Sequence, residues 1–232
     1  MAEKRTQEEK SQVAGGANER PPFVGEAQVQ RSPIESPAAD AEAFSCRQNF
    51  TAEVENAINR QINYELDASY RYMAMANYFA RPTVALAGAA RFFVKQSLQE
   101  RSHAQKLIDY QNARGGKVTL LSLESPPRQQ WGSLLEAFVD ALELEKANND
   151  ALLRLHEIAS DKTDPDLTNF LEEFYLKEQV AEIEKMTRFA NQLRRVGVGL
   201  GEYIWDQELL HGQAQGLLVT GNLMNEKKHV FD

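Results

Sequence analysis

The chain has 232 residues, 42% of them hydrophobic, enough for one large globular domain or two small ones. Its formal net charge of −8 speaks against nucleic-acid binding, and no apolar run approaches the roughly 18 residues of a membrane span. One cysteine, Cys46, excludes an internal disulfide or a cysteine-based metal cluster.

Residues 1–48 read as a disordered arm, because Gly15-Gly16, Pro21-Pro22, Pro33 and Pro37 interrupt any period and apolar residues are few. Met1 to Ser11 is almost wholly polar, unlike a secretory signal, and Glu3, Glu8, Glu9 and Glu19 are unlike a transit peptide. The expected location is cytoplasmic. From Thr51 to Phe79 the period becomes helical, with Arg81-Pro82 as the stop. Its stripe is Ile58, Ile62, Glu65, Ser69, Tyr72, Ala76 and Phe79, apolar at both ends and polar in the middle. A second helix, about Val84 to Arg114, ends at Gly115-Gly116 and carries Ala89, Phe93, Gln96, Glu100, His103, Leu107 and Tyr110.

The segment from Gly115 to Gly132 is long for a link between neighbouring helices. Eighteen extended residues reach about 59 Å, and a helix of 28 residues is about 42 Å long. The link can therefore run the length of a bundle, which predicts one long crossover in place of up-down-up-down winding. The third helix, about Ser133 to Ser160, gives Leu135, Phe138, Leu142, Glu145, Asn149, Leu152 and His156. The fourth, about Asp166 to Arg195, gives Leu171, Tyr175, Gln179, Glu182, Met186, Phe189 and Leu193. A short fifth helix is expected over Gly201 to His211, followed by a flexible tail over residues 212–232.

All four long stripes are apolar seams broken near the middle. Packed together, they would gather Glu65, Tyr72, Glu100, His103, Glu145 and Gln179 into one interior layer, with Glu182 alongside. Glu100 and His103, at i and i+3, project from one helix face, and Glu-x-x-His is the pair that four-helix carboxylate proteins use to hold iron or manganese. Buried carboxylates repel unless protonated or neutralised, and oxygen donors with one imidazole suit Fe(II), Mn(II) or Zn(II). Glu100 could bridge two metals, with Glu65 and His103 completing one site and Glu145 the other. Gln179 is a weak donor better suited to positioning water or dioxygen, and Tyr72 is in register for a hydrogen bond or a transient redox role. Read singly, each acid is better explained as a solvated or interface residue, and Tyr72 as a core aromatic. The coincidence across four seams is what points to metal. Two further Glu-x-x-His pairs, Glu208/His211 and Glu226/His229, have no partner acids in frame, and His156 reads as a surface or capping residue.

At these residues the chain resembles a ferritin of the heavy-chain, ferroxidase-active type. RQNF at Arg47, AINRQINYEL at Ala57, FFVKQSLQERSHAQKL at Phe92 and YQNARGGKV at Tyr110 carry the likeness. ALELEK at Ala141, LHEIASDKTDPDL at Leu155, FYLKEQV at Phe174, LRRVG at Leu193 and GEYIWDQELL at Gly201 continue it. The resemblance implies an all-α, ferritin-like four-helix bundle over residues 49–211, with one long crossover and a short fifth helix. It also implies self-assembly into a hollow shell of twenty-four, alone or with other ferritin subunits, without nucleic-acid or membrane partners. A di-iron centre would oxidise Fe(II) with dioxygen as co-substrate and mineralise Fe(III) inside. The family's ligands map onto Glu65, Glu100 and His103 for one iron and Glu100 and Glu145 for the other, with Gln179 and Tyr72 beside them.

Two departures from the family pattern stand out. Threefold entry channels usually carry an Asp and a Glu where this chain has Asn169 and Glu172, with Asp166 and Glu173 nearby. Acids that nucleate mineral are replaced by Gln99, Ser102 and Gln105. The missing nucleation acids keep open a rival reading, a storage shell or scaffold with little turnover, against which the retained ligands argue.

Overall fold

A computed structural model describes residues 45–214, and among them every regular element is helical. Four rods form the bundle: α1 (Ala52–Phe79), α2 (Ala87–Ala113), α3 (Leu134–Asp161), and a fourth built from α4 (Pro165–Leu171), a π turn (Glu172–Leu176) and α5 (Lys177–Val196). A shorter helix, α6 (Leu200–Ala214), follows. Most of the predicted arm, the tail from residue 215 and the Glu226/His229 pair lie outside the described residues. Residues 45–48, which the sequence reading places in the arm, carry no regular element yet are held: Arg47 pairs with Glu55, and its Nε donates to Phe50 O at 2.9 Å.

Local chemistry accounts for three of the helix starts. Thr51 Oγ1 accepts from Val54 N, Ser133 Oγ from Glu136 N, and Asp164 Oδ1 from Leu167 N, with Pro165 at the first helical position. Leu86 cannot cap α2 with its side chain, so the cap comes from α6. The buried Asp206 carboxylate accepts from Gly88 N at 3.1 Å and Ala89 N at 2.7 Å. That approach requires glycine, because a Cβ at Gly88 would lie 2.1 Å from Asp206 O.

The crossover runs as its length allows. Lys117 O accepts from Asn59 Nδ2 near the start of α1, whereas Trp131 O accepts from Tyr78 Oη near its end. Thus α3 starts beside the end of α1 and returns to its beginning, where Lys162 Nζ meets Glu53 Oε2 at 2.6 Å. Midway, Ser69 and Ser97 exchange hydroxyl-to-carbonyl bonds of 2.7 and 2.8 Å, small residues that let α1 and α2 close up.

The apolar interior falls into two bodies. One gathers Phe79, Phe92, Phe93, Phe138, Met186 and Phe189, and the other Ile58, Ile62, Leu107, Leu152, Leu167 and Leu171. Fully burying each such side chain contributes about 1.5–3 kcal/mol, so the two bodies together can carry a costly layer between them. That layer is where the four seams are interrupted.

The predicted stripes of α1 and of the fourth rod are buried at every position, and that of α2 at all but Tyr110, which is half-buried. On α3 the seam runs through Asn148 and Leu155, whereas Asn149 and His156 turn away from the core. The fourth rod holds a π turn within the single helix that the sequence predicts, and α6 continues through residues 212–214, beyond its predicted end at His211.

Candidate metal centre

Glu65 stands on α1 with no exposed surface, and Glu100 and His103 stand on α2 at 2% and 5% exposure. One ligand atom from each lies within 4.8 Å of the other two, the only such group of acids, histidines or cysteines among the described residues. His103 Nδ1 is 3.2 Å from Glu100 Oε2 and 4.0 Å from Glu65 Oε2. Two amides hold Glu65 from behind. Gln61 Nε2 donates to Oε1 at 2.8 Å, Asn148 Nδ2 donates to Oε2 at 2.9 Å, and Gln61 also donates to Asn148 Oδ1.

Glu145, on α3 and 1% exposed, occupies the same layer outside that trio. It accepts a short hydrogen bond from Tyr72 Oη and one of 2.5 Å from Gln179 Nε2, which also donates to the Glu145 carbonyl at 2.9 Å. The chain thus brings all six candidate residues into one stratum and divides them. Glu65, Glu100 and His103 converge, while Tyr72 and Gln179 hold Glu145 beside them.

Three side chains that the stripes did not single out as site residues complete the site. Gln61 and Asn148 orient Glu65, and their signal was spacing: one turn before Glu65 and one turn after Glu145. Glu178 offered no seam signal, because it sits one residue off the stripe and is half-buried. Its Oε2 lies 3.3 Å from His103 Nε2, and Gln99 Nε2 donates to its Oε1 at 2.7 Å. The imidazole therefore turns Nδ1 toward the carboxylates and Nε2 toward Glu178. Outer partners of this kind set tautomer and ring orientation, so Glu178→Ala is expected to weaken Co(II) binding at the His103 side by about 10–100-fold, measured by anaerobic titration.

The electrostatics are those of a site short of positive charge. Burial, reinforced by the Glu100 charge, pushes Glu65 up to about 8, and burial pushes Glu145 up to about 7 against the hydrogen bonds from Tyr72 and Gln179. Burial raises Glu100 too. For His103 burial opposes protonation, but hydrogen bonds to Glu100 and Glu178 and the nearby carboxylate charges outweigh it and raise the group to about 10. Tyr72 is raised by burial and by Glu145. A multivalent cation placed among these side chains would bind by displacing the protons that burial favours on the carboxylates.

Residues 55–196 match the ferritin family, described as a ferritin-like domain. The chain belongs to the ferritin family. It is 51% identical over 164 residues to soma ferritin of Lymnaea stagnalis, covering 71% of this chain and 94% of that protein. It is 48% identical to the ferritin middle subunit of Aquarana catesbeiana, covering 69% and 93%, and 46% identical to ferritin-1 heavy chain of Schistosoma mansoni, covering 73% and 98%. Heavy-chain-type ferritin is thus the kin of this sequence, and iron storage is the role that membership supports.

Within this ferritin the two departures are placed as follows. Asn169 and Glu173 are exposed, Glu172 Oε1 is 2.9 Å from His156 Nε2, and Asp166 is held by Tyr110 and Arg114. Gln99 is spent on Glu178 and Glu182, Ser102 is exposed, and Gln105 binds Asp109. Glu208 and His211 are exposed on α6, outside any metal-sized group. Among the described residues no helix is long and apolar enough to cross a membrane.

Proposed function

We propose that this ferritin subunit is a ferroxidase that takes Fe(II) as substrate at the centre of its bundle, passes electrons to dioxygen, and stores the Fe(III) product as mineral inside a hollow shell of its own copies. The observation that carries the reading is the buried convergence of Glu65, Glu100 and His103, whose ligand atoms lie within 4.8 Å of one another between two apolar bodies. Two carboxylates and an imidazole suit Fe(II), and burial keeps competing water ligands away. Glu100 would serve both ions, with Glu145 completing the second position.

Tyr72 and Gln179 hold the Glu145 carboxylate in place by donating hydrogen bonds to it. The second position is offered only Glu145 and the shared Glu100, fewer donors than the first, so the second ion would be held more loosely, which suits release of oxidised iron. The assembly is a shell of twenty-four, formed alone or with other ferritin subunits, and its compartment is the cytoplasm. Aerobic addition of Fe(II) to the purified protein should give a fast rise in ferric absorbance, with the protein eluting as a particle far larger than one 26.2 kDa chain. A rate equal to that of iron in buffer would remove the ferroxidase reading, and elution as a monomer would remove the shell.

A further inference from the structure

At the α5 edge of the polar layer stands a cation that the chain itself supplies. Glu182, one turn beyond Gln179, is buried, and its carboxylate receives Lys185 Nζ at 2.7 Å on Oε1 and 2.5 Å on Oε2. The same ammonium reaches Gln96 Oε1 at 3.4 Å and lies 5.7 Å from the centre of the Phe92 ring, which adds a favourable face to the charge. Gln96 Nε2 and Gln99 Nε2 each donate to Glu182 at 3.2 Å. Gln99 also bonds Glu178, so Glu182 is joined through one amide to the carboxylate that orients His103.

We infer that Lys185 is a tethered counter-cation that occupies the Glu182 end of the layer and limits the centre to two metal ions. The inference rests on the two-iron reading above. Charge makes the point. Two divalent ions balance the four carboxylates of Glu65, Glu100, Glu145 and Glu178, with His103 neutral as a ligand. Glu182 would leave one negative charge over in a buried setting, and Lys185 cancels it through both oxygens. Without the ammonium, both Glu182 oxygens and the Gln96 side-chain oxygen, each within 3.4 Å of Lys185 Nζ, would line a position fit for a further hard or borderline cation.

Lysine on a helix three residues from glutamate also makes ordinary surface pairs, so the test must read metal count as well as stability. Anaerobic titration of the assembled protein with Co(II), followed by its d–d absorbance, should saturate at about two ions per subunit for the natural chain and for Lys185→Arg, and at about three for Lys185→Met. Lys185→Met combined with Glu182→Gln should return to two. Saturation of Lys185→Met at two ions, or of the double variant at three, would overturn the assignment. Failure of the natural chain to bind Co(II) at all would remove the metal centre beneath it, a result distinct from either.

Discussion

A Glu100→Ala, His103→Ala variant loses the fast phase of aerobic Fe(II) oxidation, leaving a rate within error of iron in buffer. The expected fall exceeds about 100-fold, because groups that merely orient a ligand are already worth 10–100-fold and these two would be the ligands themselves. Both side chains project from one turn of α2 into the trio, so alanine deletes two of its three donors at once. The backbone should survive. Alanine favours helix, and removing Glu100 relieves repulsion that raises both Glu65 and Tyr72. Helical circular dichroism and elution volume should therefore match the natural protein, which separates lost chemistry from lost fold. A persisting fast phase would show that iron is oxidised elsewhere. Glu65→Ala should repeat the loss, whereas Tyr72→Phe, which keeps every proposed ligand, should slow turnover less.

Much of this centre was legible from spacing. Glu65, Glu100, Glu145 and Gln179 each sit where an apolar stripe is broken, and the stripe's period is set by backbone geometry that each residue carries locally. What spacing does not decide is a step of three against a step of four. On α3 the stripe reached Asn149 by a step of four from Glu145, while the chain buries Asn148, three residues on. Both are asparagine, and the choice is made by Glu65 and Gln61 on another helix, whose groups only Asn148 meets.

The fourth helix shows the converse. Leu171, Tyr175 and Gln179 advance by four twice in succession, which an α-helix of 3.6 residues per turn does not sustain, and the π turn at Glu172–Leu176 absorbs the excess. That excess was present in the spacing. By placing Tyr175 inward, the turn lets its Oη donate to the His103 carbonyl at 2.8 Å and brings Gln179 to Glu145. Glu178 and Asp206 were illegible for a simpler reason. Each is a common surface type whose meaning comes from a partner far away in the chain: His103 for one, the start of α2 for the other.

The same buried charges fix how the metal-free protein should answer to pH. Glu65 and Glu145 are raised from an ordinary 4.5 to about 8 and about 7, and His103 from 6.5 to about 10. In each case the folded state holds the proton more tightly than the unfolded chain. The stability this provides is complete below the unfolded values and drains away as pH rises through the folded ones. Stability of the metal-free protein should therefore fall between about pH 5 and pH 9, by a few kcal/mol, which for a domain of this size lowers the melting temperature by about 5–10 °C. Divalent metal reverses the trend, because it binds the ionised carboxylates and neutral imidazole and becomes a stronger ligand as protons leave. Melting curves with saturating Co(II) should flatten or rise over the same range, and the added stabilisation should be largest at the alkaline end. Glu65→Gln removes one of the groups that drives the fall, so its metal-free curve should be shallower, at the cost of the metal response. A metal-free melting temperature that holds level or climbs from pH 5 to 9 would mean that these carboxylates ionise freely, and a centre built on their shared need for a cation would have no physical basis.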